Sequence, residues 1–186
     1  VFAETTTPDG ETAEGDGANS SGTINLCVGD VFNVYESHSS AYTLSLKSNS
    51  DSTVALGEVA GSSVTAGKFY TITAKKAGTT TIVFNNKKSS GGNNTATFTV
   101  NVSEARVLEP GAQATVSGWG NDSEPGSATW TQTVDPSGRV TVTFGTRTPS
   151  AMTATLTAGQ TEGDVKVTIK NVNSNSGSEY VYAVKI

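Results

Sequence analysis

The chain has 186 residues, 34% hydrophobic and 16% charged, with a single Met. That supply of helix-forming residues is too thin for a helical fold, and no window keeps apolar residues at helical spacing. The formal net charge of −5 argues against a nucleic-acid partner, which is met by clustered Lys and Arg. No run reaches the roughly 18 apolar residues of a membrane span, so no membrane insertion is expected.

The chain opens on "VFAETTTPDG". Val1 and Ala3 before Glu4 have the small-residue spacing of a signal-peptidase site, so residues 1–3 read as the remnant of a secretory signal. Residues 4–22 hold five acidic groups and almost nothing apolar. Such a stretch cannot bury enough surface to offset the entropy of ordering. Residues 1–22 are therefore read as an acidic Thr/Gly-rich tail.

Strand signals then follow one another: Thr23 to Val28, "DVFNVYES" from Asp30, "YTLSLKS" from Tyr42, "TVALGEVAG" from Thr53, "KFYTITAKK" from Lys68, "TTTIVFNN" from Thr79 and "TATFTVNVS" from Thr95. Runs this dense, separated by Gly, Ser and Asn turns, predict an immunoglobulin-like β-sandwich over 23–103. Alternation in "TTTIVFNN" sends Thr80, Ile82 and Phe84 to the core face and Thr81, Val83 and Asn85 to the other.

Residues 104–186 repeat the plan with "ARVLEPG", "QATVSGW", "ATWTQTVD", "GRVTVTFGT", "AMTATLTAG", "GDVKVTIKNV" and "EYVYAVKI". Val165, Val167 and Ile169 should point inward, with Lys166, Thr168 and Lys170 toward solvent. Each half closes on a hairpin around a Ser/Asn/Gly loop, which suggests duplication. The fold expected is all-β: two tandem immunoglobulin-like sandwiches behind an acidic N-terminal tail. The boundary is placed near Ser103 to Ala105, a join short enough for a semi-rigid pair.

"CVGDVFNVY", "YTLSLKSNSDSTVAL", "KFYTITAKKAGTTTIVF" and "TATFTVNV" occur in an order that resembles the bacterial immunoglobulin-like domains of group 2. Val28–Gly29–Asp30, Ser48 to Ala55 and Ala74 to Val83 occupy the family's motif positions. The family's usual tryptophan before the "S.s" stretch is absent, with Leu44 or Leu46 expected in its space. In residues 105–186 only "EPG" at 109–111 and the closing hairpin keep the pattern, so that half is assigned by analogy. The resemblance implies a secreted or cell-surface bacterial adhesin, stalk or wall-associated module, and it carries no catalytic residues.

The residues offer little chemistry of their own. His38 lies in the loop signal "YESHSSAY", and its adjacency to serines does not make a triad. Cys27, the one cysteine, sits between Leu26 and Val28 and reads as a small buried hydrophobe without a disulfide partner. One His and one Cys are too few for zinc. The acidic stretches "PDGETAEGDG" and "NDSEPG" lack calcium-loop spacing. Neither predicted first strand supplies a lysine for an intramolecular crosslink to asparagine. No catalytic residue, metal site or cofactor is expected, and the chain is read as a non-enzyme. Trp130 is expected in the core of the second sandwich. Trp119, between glycines, and Tyr180 are the candidate ligand-binding residues, as exposed aromatics that could stack on a sugar.

The leading expectation is an extracellular structural or adhesion module. One alternative is a carbohydrate-binding module using exposed aromatics; another is a fibre subunit assembled by strand exchange. Other surface proteins, glycans or copies of the chain itself are the expected partners.

Overall fold

The computed structural model describes residues 20–36, 41–59, 67–117, 129–133, 139–144, 153–172 and 176–186. Among these every regular element is a strand. The first half holds β1 (Ser20–Cys27), β2 (Val31–Glu36), β3 (Tyr42–Asn49), β4 (Ala55–Glu58), β5 (Gly67–Ala74), β6 (Gly78–Lys88) and β7 (Asn93–Ser103). The second holds β8 (Arg106–Val107), β9 (Gln113–Ser117), β10 (Thr129–Thr133), β11 (Val140–Phe144), β12 (Thr153–Ala158), β13 (Asp164–Val172) and β14 (Ser176–Lys185). β1 starts three residues ahead of the expected Thr23, because Ser20 already pairs with Ala96.

Strand order repeats between the halves. One sheet runs β1-β7-β6-β3, and β8-β14-β13-β10 answers it; β4-β5-β2 is answered by β11-β12-β9. In both halves the first strand runs parallel to the last, β1 to β7 and β8 to β14. The closing hairpins β6–β7 and β13–β14 are both antiparallel, as the matching sequence endings led one to expect. The chain is an all-β, immunoglobulin-like sandwich protein.

In one respect the structure departs from two sandwiches held by a short link. β14 pairs with β2 from Ser176↔Glu36 to Val181↔Val31, so β10-β13-β14-β2-β5-β4 form one continuous sheet across the junction. Directly opposed residues in an antiparallel ladder share a face. Val165, Val167, Tyr180, Tyr182 and Val184 of the second half therefore lie on the same face as Phe32, Val34, Tyr70 and Ile72 of the first. These side chains belong to a single buried cluster that also takes in Ile82, Phe84 and Phe98 from the first sheet and Val140, Leu156 and Ala158 from the third.

The strand period explains most of this core. In β6, Thr80, Ile82 and Phe84 are buried while Thr81 is exposed. Tyr70 stacks on Phe84 at 4.3 Å and 7°, with Phe98 5.3 Å away, joining the two sheets of the first half. Where the alternation breaks, a bulge is responsible. Val34 opposes Tyr70 but Tyr35 opposes Lys68, leaving Phe69 as an extra residue in β5. An extra residue re-aims its neighbours, and consecutive Phe69 and Tyr70 are both buried. A second bulge at Lys47, between Leu46 and Ser48, bends the edge strand β3. Leu46 is left 39% exposed, whereas Leu44 packs against the core. Gly57 is buried in β4 where a Cβ would stand 2.9 Å from both Ile82 and Phe84; only a glycine lets the sheets close there.

Candidate functional site: the junction of the two halves

The turn Val28–Gly29–Asp30 leads from β1 into β2. Asp30 N donates to Cys27 O at 2.9 Å and closes the turn, and Gly29 adopts φ +95°. A side chain at Gly29 would be strained by that φ and would meet Ala183 Cβ at 2.9 Å. The glycine thus lets β14 approach the turn closely.

That approach completes a site around Asp30, a fully buried carboxylate. Its Oδ1 accepts from the backbone N–H of Ala183 at 2.8 Å and from Arg106 Nη1 at 3.1 Å. Its Oδ2 accepts from Cys27 N at 2.9 Å and from Arg106 Nη2 at 3.1 Å. Arg106 Nη1 also donates to Ala183 O at 2.9 Å, and its guanidinium lies 5.1 Å over the Tyr182 ring. Three pieces of chain distant in sequence, namely the β1–β2 turn, β8 and β14, meet through one bidentate ion pair. Burial works against the charged guanidinium, but the hydrogen bonds and charge of Asp30 outweigh it and raise the Arg106 pKa. Tyr182 is pushed well above the ordinary tyrosine range, by burial first and by Tyr180 second. Beside the pair lies a pocket of about 350 Å³ lined by residues such as Val28, Arg106, Lys166 and Lys185.

Cys27 adjoins the site, where burial chiefly raises the pKa of its thiol and disfavours the thiolate, with the charge of Arg106 working against that rise. Among the described residues no three His, Cys, Asp or Glu side chains gather as a metal site requires. Arg106 supplies two of the four hydrogen bonds that Asp30 accepts.

The opposite face of the shared sheet carries a smaller polar set. Asn33, buried in β2, donates to Glu179 Oε1 at 2.8 Å and accepts from Thr71 at 2.7 Å. Burial, reinforced by the charge of and a hydrogen bond to Glu179, pushes Tyr35 up to about 12. Folding therefore favours its neutral phenol relative to an unfolded value of 10.0. The associated stability is complete below about pH 10 and is lost as the pH rises through about 12. In a spectrophotometric titration, Tyr35→Phe should remove one phenol from the absorbance rise centred near pH 12. Glu179→Gln should move that phenol to lower pH, and an unchanged titration in both variants would contradict the assignment.

The candidate ligand residues are not brought together. Tyr180, expected as a contact aromatic, is 2% exposed. It stacks on Tyr182 at 5.1 Å and packs against Phe32 at 4.6 Å. Alternation along β14 turns it inward with Tyr182 and Val184, so it has no free face for a sugar. Trp119 and His38 lie outside the described residues, and of Trp130 only the backbone, in β10, is described. The residues that do converge are Asp30, which the sequence marks only as the end of the Val28–Gly29–Asp30 turn, and Arg106, which it does not mark as a site residue. Their one legible signals were an acid at the end of a Gly turn and an arginine at the opening of the second half.

No protein-family model matches the chain, that of the group 2 bacterial immunoglobulin-like domains included, and no curated protein matches it. Similar solved structures include domains 4 and 5 of the S-layer protein SbsC, at 19% identity over 78% of this chain and 70% of that one, with a TM-score of 0.34. A chimeric titin Z1Z2 tandem aligns at 14% identity over 88% and 93%, with a TM-score of 0.31. The D00–D0 domain of intimin aligns at 10% over 98% and 99%, with a TM-score of 0.28. At such TM-scores nothing about this chain's activity follows.

Proposed function

We propose that the chain is a non-enzymatic, extracellular or cell-surface structural module of two immunoglobulin-like units, used in adhesion or as a spacer. The observation that carries this reading is the coupling of its halves. One sheet crosses the junction, and the Asp30–Arg106 pair ties the first half to the opening and closing strands of the second. The parallel β1–β7 ladder adds a load-bearing element. Tension between Ser20 and the exit of β7 at Ser103 pulls these strands lengthwise past each other, loading their hydrogen bonds together. Peeling a hairpin breaks such bonds one after another.

Partners in this reading are other surface proteins, glycans or further copies of the chain. Within it, a group 2 type bacterial domain remains the finer assignment for residues 23–103, carried by the motif order quoted above. The carbohydrate reading has lost Tyr180, which is core.

Single-molecule force spectroscopy tests the proposal. Attachment near the ends should give a higher unfolding force than attachment across the open end of the β6–β7 hairpin. Equal or lower force from the ends would remove the load-bearing role.

A further inference from the structure

The ion pair uses only part of Arg106. A guanidinium carries its N–H donors in one plane. Asp30 takes one proton from each of Nη1 and Nη2, and Ala183 O takes the second Nη1 proton. Among the described residues nothing accepts from Nε–H or from the second Nη2 proton. These two donors lie side by side on one edge of the group, the fork that a carboxylate meets in plane. The Nε atom is unpaired yet is not one of the protein's buried unpaired atoms, so it stands in contact with solvent.

Arg106 is also in the wall of the junction pocket, whose volume of about 350 Å³ suits a small molecule. The hollow exists because the sheet carries little bulk there. Lys166 faces the short Ala183 across the β13–β14 ladder, and beyond Ala183 lies Gly29, where a Cβ would already stand 2.9 Å from the alanine methyl. Val28 and Ala183 give the pocket an apolar wall, Lys166 and Lys185 bring two ammonium groups, and Asp164 is its one acid. Both lysines are exposed, and among the described residues neither is held in an ion pair. Asp30 balances Arg106 and Asp164 balances one lysine, which leaves a single positive charge in excess.

We propose that this pocket binds a small organic carboxylate with a short apolar tail. The carboxylate sits on the free fork of Arg106, the tail lies along Val28 and Ala183, and Lys166 and Lys185 supply the surrounding positive charge. A monoanion cancels the excess charge, whereas a phosphate dianion overshoots it and leaves the apolar wall unused. Val28 belongs to the first half and the other walls to the second, so the occupant touches both. This inference is independent of the load-bearing reading.

Hexanoate tests it on the full chain by NMR at about 0.15 M salt, where interactions between exposed charges are screened beyond ~8 Å. The amides of 164–166 and 183–185 should shift together with the Nε–H signal of the Arg106 spin system and saturate with a Kd of about a millimolar, the range open to so small a ligand. The Nε–H proton should move downfield as it enters a charge-assisted hydrogen bond. Hexanamide has the same tail without the charge and acetate the charge without the tail; each should bind about tenfold or more weaker. Lys166→Glu with Lys185→Glu, both at exposed strand positions, should abolish saturation while the amides of β6 and β7 stay in place. Amide shifts with a stationary Nε–H would mean that the lysines attract the anion without the fork, and would overturn the proposal. Equal affinity for hexanamide or acetate, or tighter binding of inorganic phosphate, would overturn the class of ligand. Binding indifferent to the lysine reversal, or no binding at all, would remove the site.

Discussion

Replacing Arg106 by alanine is expected to destabilise the protein by about 3–5 kcal/mol in urea denaturation, the usual cost of stranding one member of a buried ion pair. Asp30 is fully buried and Arg106 only 18% exposed, so the truncation leaves a buried carboxylate without its cation. Arg106→Lys keeps the charge but loses the two-pronged contact to Asp30, and should fall between wild type and alanine. Asp30→Asn with Arg106→Leu should be milder than Arg106→Ala, since no uncompensated charge is then left inside. A loss below about 1 kcal/mol for Arg106→Ala would place the pair among surface salt bridges and remove it as a structural lock.

The fate of that pair shows what the sequence could disclose. Strand positions were legible because they depend on local signals. Period-2 alternation in "TTTIVFNN" assigned Thr80, Ile82 and Phe84 inward, and all three are buried. The repeated closing hairpins were legible for the same reason. The β14–β2 ladder was not, because no alternation pattern states which edge a strand will meet across the junction. Bulges are equally silent: one extra residue at Phe69 buries two neighbours that a strict alternation would place on opposite faces. The candidate site depended wholly on such long-range pairing. Asp30 and Arg106 are 76 residues apart, and the carboxylate can be buried only because Gly29 admits Ala183, whose N–H supplies one of its four hydrogen bonds. Aromatic content pointed in the wrong direction at Tyr180, since an aromatic in an alternating strand serves a core or a ligand with equal ease.

Tyr180→Ala should cost about 3–5 kcal/mol, the range for truncating a large buried aromatic. A ligand-contacting tyrosine on the surface would cost almost nothing in stability. The position matters beyond its size. Tyr180 lies directly opposite Phe32, their rings 4.6 Å apart, so its ring is part of the packing that joins β14 to β2. Wild type should therefore melt in a single calorimetric transition with calorimetric and van't Hoff enthalpies in agreement. In Tyr180→Ala the hydrogen-bonded ladder persists without the packing that supports it, and the second half should unfold at lower temperature than the first. Two separated transitions in the variant against one in wild type is the expected result. A variant as stable as wild type would return Tyr180 to the list of ligand contacts. A wild type that already melts in two steps would mean that the shared sheet does not couple the halves, leaving the Asp30–Arg106 pair as their main connection.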